Sequence, residues 1–265
     1  MAVEVTTGPE HRPPPELTVV LATLNERRNL PEVIERIRRL PLPPCEILVV
    51  DDGSKDGTRE YLLQLAPLDP NLRLLFHDGK QTTLRAQCQG IEASTGSFVV
   101  VMDADLQHPP EVIEPMLRKL REGAALVVAS RYASGGTAGP RTIFRWTVSR
   151  GAEWLAKLML PTARAVTDPV SGFFGFRRAI WVPLNPLYRG YKLLLFLLVM
   201  SEGRLVAEVG YRFTPRTEGA SKVTQGSAFL RVFLIELMLA RRLRYSLHAG
   251  PTTRESASGS EAKPA

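Results

Sequence analysis

Cysteine is scarce in this chain. Cys45 and Cys88 are the only two in 265 residues, too few for a disulfide framework and wrongly spaced for a cysteine-cluster metal site, which points to a reducing compartment. Long apolar runs are missing too: the longest, Leu193–Met200, has eight residues, against the roughly 20 that a spanning helix needs. No transmembrane helix is therefore expected. Residues 1–16 are acidic and proline-rich rather than basic and then apolar, so no signal peptide is expected and the cytosol is the expected compartment. Neither a Walker nor a Rossmann glycine fingerprint occurs, and Gly135, Gly136 and Gly139 lack the spacing of a phosphate-cradling loop that opens a helix. No repeat period is visible.

What is present is an ordinary globular composition, 44% apolar and 23% charged, which excludes a disordered chain and leaves ample material for a core. Basic residues outnumber acidic ones by 34 to 27. Such an excess favours phosphorylated ligands, nucleic acid or an anionic membrane. Nucleic acid is the poorest of the three, because no recognition motif or aromatic stacking platform accompanies the charge.

Between compositionally flexible ends at 1–16 and 249–265, short apolar runs at 17–22, 47–50, 72–76, 98–102 and 126–129 alternate with helical patterns near 29–40, 56–66, 82–94 and 109–122. Strand and helix in alternation, with strands apolar on both faces, predict an α/β fold with a mainly parallel sheet covered on both sides. Ligands in such sheets bind beyond the carboxyl ends of the strands. Three polar clusters fall there: Thr23-Leu24-Asn25-Glu26, Asp51-Asp52-Gly53-Ser54 and Asp103-Ala104-Asp105-Leu106-Gln107-His108. Each alone could be a set of turn formers and helix caps; three on one rim suggest a site. In an extended strand end Asp103 and Asp105 would point to one side, and Gln107 would continue the row. Two carboxylates and an amide oxygen suit Mg²⁺ or Mn²⁺ shared with a substrate diphosphate. His108 beside them fits a surface or hydrogen-bonded histidine better than a metal ligand or base.

The ordered set of these clusters with Ser130-Arg131-Tyr132, Asp168-Pro169-Val170-Ser171-Gly172-Phe173-Phe174 and Gly190-Tyr191-Lys192 resembles the family 2 glycosyltransferases of the dolichol-phosphate mannose synthase type over about residues 17–223. The resemblance implies a GT-A fold, a divalent metal, a nucleotide-sugar donor with GDP-mannose favoured, a polyprenyl phosphate acceptor at the cytosolic membrane face, and inversion at the anomeric carbon. Carried over by residue, Ala22, Leu24, Glu26, Val50 and Asp52 would line the nucleoside pocket. Asp103, Asp105 and Gln107 would hold the metal, with Ala104 at the diphosphate. Arg131 would reach the donor, and Arg216 and Lys222 would bind phosphates on a closing loop. Asp105, Arg131, Arg216 and Lys222 form the expected catalytic set. The chain departs from the family where Ala22 and Leu24 replace a proline and an aromatic, where Glu218 and Ala220 replace an arginine and a glutamate, where the turn at 79–83 differs, and where Phe196 replaces a glutamate. A UDP-hexose donor, or a catalytically idle nucleotide-sugar-binding subunit, are the competing readings.

Two segments could meet the lipid. Residues 141–164 carry Arg141, Arg145, Arg150, Lys157 and Arg164 against Glu153 alone, with Phe144, Val148, Leu155 and Met159 at helical spacing and Trp146 and Trp154 among them. Residues 224–248 form a second amphipathic pattern ending in Arg241, Arg242 and Arg244. Either could be a core-packed helix with a solvated basic face or could lie in the headgroup plane. A peripheral enzyme, with room for a separate membrane subunit, is the expectation.

Overall fold

The computed structural model describes residues 2–5, 15–79, 81–139, 143–185, 188, 190–214 and 226–248, with only the backbone at 2–5, 143–146 and 226–229. Eight strands form one sheet: β1 (Ala2–Val5), β2 (Leu17–Thr23), β3 (Cys45–Asp51), β4 (Leu72–His77), β5 (Phe98–Asp103), β6 (Leu126–Ser130), β7 (Phe174–Arg177) and β8 (Val206–Gly210), in the order β1-β4-β3-β2-β5-β7-β6-β8. The centre is parallel, with β2 pairing β3 and β5, and β3 pairing β4. Only β1 and β7 run the other way. All five sequence-read strands are present, and all belong to the parallel set, which brings their carboxyl ends to a single rim.

The helices follow from periodicity. In α1 (Leu30–Arg38), α2 (Thr58–Leu65), α3 (Thr83–Ala93) and α4 (Ile113–Arg121) the apolar residues recur on one face. In α4 that face is Ile113, Met116, Leu117 and Leu120, and the last turn is basic, as the helix dipole favours. Helices α1, α2 and α4 pack on one side of the sheet with Leu21, Val49 and Met102. On the other side α3 packs with α5 (Ile143–Met159), α6 (Leu193–Met200) and α7 (Gly226–His248) against Val20, Val50 and Val101. Every residue of α6 is buried, which explains why its eight apolar residues show no polar face. Among the described residues no helix is long and apolar enough to cross a membrane.

Two expectations need correction. The segment 1–16, taken as a tail, contributes β1, whose backbone fills the edge of β4 in antiparallel register, Ala2 opposite His77; an unpaired edge offers hydrogen bonds to any extended segment that reaches it. The 141–164 helix is broken: α5 stops at Met159, and Pro161 opens a 3₁₀ turn, Pro161–Ala165, because proline ends the ladder of helical hydrogen bonds.

One close approach sets the spacing of α3 over the sheet. A Cβ on Gly90 would lie 2.5 Å from Val20 Cγ1 and 3.0 Å from Val50 Cγ2. Overpacking of this kind costs about 1–3 kcal/mol, more than the helix gains from alanine over glycine, at most about 1 kcal/mol. Gly90→Ala will therefore lower the denaturant midpoint at unchanged slope; a midpoint at or above wild type would show that the valines can give way.

Candidate active site

Strand register builds the rim. Ala22 lies opposite both Val50 and Asp103, and Thr23 opposite Asp51, so the three polar clusters leave β2, β3 and β5 at one level, with the outer two about 10 Å apart at ordinary strand spacing. The loops after β2 and β3 are stitched together. Asn25, at φ 56°, donates its backbone N–H to Ser54 Oγ at 2.8 Å and accepts from Lys55 N at 2.8 Å. Ser54 in turn donates to Asp51 through its backbone N–H and its hydroxyl, and burial pushes the Asp51 carboxyl up. Asn25, Asp51 and Ser54 are thus turn builders. Glu26 accepts from Asn29 Nδ2 at 2.8 Å.

Asp52 is held for a purpose that sequence spacing did not reveal. Its Oδ1 accepts from Gln81 N at 2.8 Å and lies 3.0 Å from Nδ1 of the buried His77, while Oδ2 has no hydrogen bond to another described residue. The carboxylate is oriented by two elements, β4 and the turn before α3. Ala22 and Leu24 are half-buried beside it. Val50 is fully buried in the core, so at this rim it can offer only its backbone.

The third cluster departs from the extended row. Strand β5 ends at Asp103, and Leu106 sits at φ 62°, a conformation that bulky residues adopt at a cost and that concentrates at functional loops. The turn folds Asp105 inward to 2% exposure, where its Oδ1 accepts from Gln107 N at 3.1 Å. Asp103, by contrast, keeps a side-chain exposure of 41%. Asp103, Asp105 and Gln107 therefore form a compact loop of oxygen donors and not a solvent-facing i, i+2, i+4 row, with Ala104 buried between them. No group of three His, Cys, Asp or Glu side chains gathers among the described residues. A carboxylate pair with an amide, leaving positions for phosphate oxygens, is the donor set that Mg²⁺ or Mn²⁺ takes, so the residues fit a divalent cation. His108 supports the loop from below. It is 4% exposed, its Nδ1 accepts from Asp103 N at 3.1 Å, and its ring stacks on Phe173 at 5.2 Å between centroids. A nitrogen that accepts an amide N–H carries no proton, which makes His108 a hydrogen-bonded partner of the strand end; of the two expectations, surface or hydrogen-bonded, the buried ring meets the second.

Arg131 does not stand free to clamp a donor. Its Nε and Nη2 meet Asp168 Oδ2 and Oδ1 at 2.6 and 2.7 Å, a two-point pair with Asp168 at 0% exposure. The guanidinium also lies over the rings of Tyr132 and Phe213 at 5.4 and 5.9 Å. Although burial alone would lower it, the bond to Asp168 holds the arginine pKa above its usual range. Beyond this pair, Lys192 donates Nζ–H to Val170 O at 2.8 Å, and burial, then Arg131, lowers its pKa. Glu153 on α5 is buried with Arg150 Nη1 at 2.8 Å, and burial raises its carboxyl.

Arg216 and Lys222 lie outside the described residues. The described chain reaches Thr214, whose hydroxyl donates to Leu106 O at 2.8 Å and whose carbonyl is 3.5 Å from Gln107 Nε2. Asp168 and Lys192, quoted in motifs but given no role, and His77 are the residues that sequence reasoning missed. Their signal was a charged or imidazole group at a strand end or inside an apolar stretch.

A mainly parallel sheet of this order, flanked by helices and with a carboxylate loop at the carboxyl end of β5, is a GT-A architecture. The crystal structure of glucosyl-3-phosphoglycerate synthase from Mycobacterium tuberculosis, in complex with Mn²⁺, uridine diphosphate and phosphoglyceric acid, shares that fold with a TM-score of 0.65 at 22% identity, covering 89% of this chain and 85% of that one. The chain belongs to glycosyl transferase family 2, whose sequence profile matches residues 18–181. It is similar to the dolichol-phosphate mannosyltransferase of Pyrococcus furiosus, 36% identical over 217 residues, or 81% of this chain and 61% of the relative. It is also similar to the dolichol-phosphate mannosyltransferase of Mycosarcoma maydis, 30% identical over 87% of this chain and 81% of the relative. The polyprenol monophosphomannose synthase of Mycolicibacterium smegmatis is 32% identical over 80% and 83%. The chain thus spans about three fifths of the archaeal relative's length and about four fifths of the other two.

Proposed function

We propose that this protein transfers a hexose, mannose from GDP-mannose, to a polyprenyl phosphate at the cytosolic face of a membrane, with inversion at the anomeric carbon. The observation that carries the proposal is the Asp103-Asp105-Gln107 loop at the strand-end rim that also carries Asp52 and Glu26, in a chain alike over most of its length to relatives named dolichol-phosphate mannosyltransferase. In this reading Asp52 Oδ2 accepts an N–H of the base. Asp103, Asp105 and Gln107 would hold Mg²⁺ or Mn²⁺, and a divalent cation bound there would supply positive charge against that of the diphosphate. An oxygen of the acceptor phosphate forms the new bond to the anomeric carbon as the bond to the diphosphate breaks, and the nucleoside diphosphate leaves. The acceptor is anionic near neutral pH, so no strong base is needed; two anions must be brought together and their repulsion offset. Arg131, fixed by Asp168, and Lys192 supply a positive field beside the loop. Arg216 and Lys222 add phosphate contacts in this reading, as the family resemblance implies.

The membrane contact falls to α5 and α7. Trp154 is 66% exposed, and Val148, Leu158, Ile235, Met238 and Tyr245 are exposed as well. The acids of both helices, Glu153 and Glu236, are buried, whereas Arg150, Arg231, Arg241 and Arg242 are exposed. A surface that shows solvent apolar side chains and cations suits anionic headgroups over a hydrocarbon layer.

The test is transfer from radiolabelled GDP- and UDP-sugars to a polyprenyl phosphate carried in vesicles, with and without Mn²⁺ or Mg²⁺. Metal-dependent product from GDP-mannose, several-fold greater in vesicles containing phosphatidylserine than in neutral ones, is the expected result. Product from a UDP-sugar alone would move the donor, equal rates in both vesicles would remove the membrane surface, and no product from any donor would favour an idle binding subunit.

A further inference from the structure

One buried acid takes no part in the chemistry above. Glu236 lies on the inner face of α7, at 0% exposure, among Phe233, Leu237 and Ala240. Its Oε1 accepts two backbone N–H groups, from Tyr191 and Lys192, both at 2.7 Å, while Oε2 is buried without a hydrogen-bond partner among the described residues. A carboxylate in this setting is a poor choice for stability alone, since an oxygen buried without a donor carries a desolvation cost and the face is otherwise apolar. Burial raises its carboxyl pKa, as that cost requires.

What it holds is next to the site. Gly190, the residue before the two gripped amides, leaves the carboxylate its place, because a Cβ would lie 2.1 Å from Glu236 Oε1 and would push that side chain away. Its carbonyl accepts from Leu84 N at 3.0 Å, which ties the same loop to α3. Lys192 then begins α6 and sends its ammonium to Val170 O, two residues beyond Asp168; Asp168, Arg131 and Asp103 all act on its charge. The contacts run without a gap from α7 through the loop 190–192 to the Asp168–Arg131 pair.

We propose that Glu236 is a positioning residue for the transfer reaction: its carboxylate, delivered from α7, fixes the Gly190–Lys192 backbone and so sets the Lys192 ammonium against the loop that holds Arg131. The assignment of the reaction rests on the function proposed above. A misplacement of about 1 Å at a group that orients reacting anions costs about 10²-fold in rate, so the grip matters more to turnover than to folding.

The test compares Glu236→Ala, Glu236→Asp and Glu236→Gln in the full chain. Glutamine keeps an oxygen that can accept both amides; aspartate keeps the charge but is one methylene short. The expected result is a kcat about 10²-fold lower for alanine and aspartate, with the donor KM within a few-fold of wild type, and recovery of most of the rate in glutamine. In parallel, hydrogen exchange at the Tyr191 and Lys192 amides speeds up in the alanine and aspartate proteins and stays slow in glutamine. Wild-type kcat with wild-type amide protection in Glu236→Ala overturns the proposal, as does a glutamine protein as impaired as the aspartate one. If Glu236→Ala melts below the assay temperature, the aspartate and glutamine pair decides. Should the wild-type protein transfer no sugar to polyprenyl phosphate, the function above fails while the exchange measurement still decides whether Glu236 fixes the loop.

Discussion

Asp168→Ala will destabilise the folded chain by about 3–5 kcal/mol, the cost of leaving a buried cation without its partner. Asp168 is fully buried and Arg131 nearly so, with a side-chain exposure of 12%. Their two short parallel hydrogen bonds are the geometry in which an arginine fork and a carboxylate interact most strongly. For a chain of this size each kcal/mol moves the melting temperature by about 2–4 °C, so a fall of roughly 10 °C is expected in a thermal scan. Asp168→Asn keeps the shape and loses the charge, and should fall between. Arg131→Lys keeps the charge but not the fork, so it should lose transfer while retaining more stability than Asp168→Ala. A loss below 1 kcal/mol in Asp168→Ala, measured from the denaturant midpoint, would show that the arginine finds water or another acceptor and that the pair is not what holds the loop.

The carboxylate loop gives the second large effect, and here the two acids separate. Asp103→Asn is expected to lower metal-dependent transfer by at least about 10²-fold, the scale of losing one electrostatic stabiliser in a site, with a change in stability inside about 0.5 kcal/mol because the side chain is half-exposed. Asp105→Ala should lose as much activity and in addition about 1 kcal/mol, since its buried carboxylate also receives the Gln107 amide. Manganese binding, followed by calorimetry on the protein without donor, should weaken in both. Metal-stimulated turnover that survives in either variant would remove that residue from the metal site.

These two sites also mark what was legible before any coordinates. Strands β2 to β6 and helices α1 to α4 could be read because each is a run of one period, either continuously apolar or apolar every three to four residues. β8 could not: its sequence, VAEVG, carries Glu208 at its centre and every residue is only half-buried. β7 is four residues long and contains a glycine. The rim was readable for a similar reason, because a polar cluster at the end of an apolar run has one place to go in a parallel sheet. The pairings within it were not. Asp52 with His77, Arg131 with Asp168 and Glu236 with the 190–192 backbone are separated by 25, 37 and 44 or 45 residues, and spacing along the chain holds no information about which charged group will meet which. The inward turn of Asp105 depended on a single residue, Leu106, in a backbone conformation that its side chain does not advertise.

Helix α7 bears on how this protein can be handled at the bench. It lies well beyond the stretch that carries the family signature, residues 18–181, and a shortened version designed from that signature would omit it. Yet Phe233, Leu237 and Ala240 close the core over α6, whose eight residues are all buried. Cutting the chain before Gly226 would strip the cover from an all-apolar helix and release the loop that Glu236 grips. The smallest fragment worth crystallising, screening against inhibitors or grafting onto another anchor therefore runs through His248.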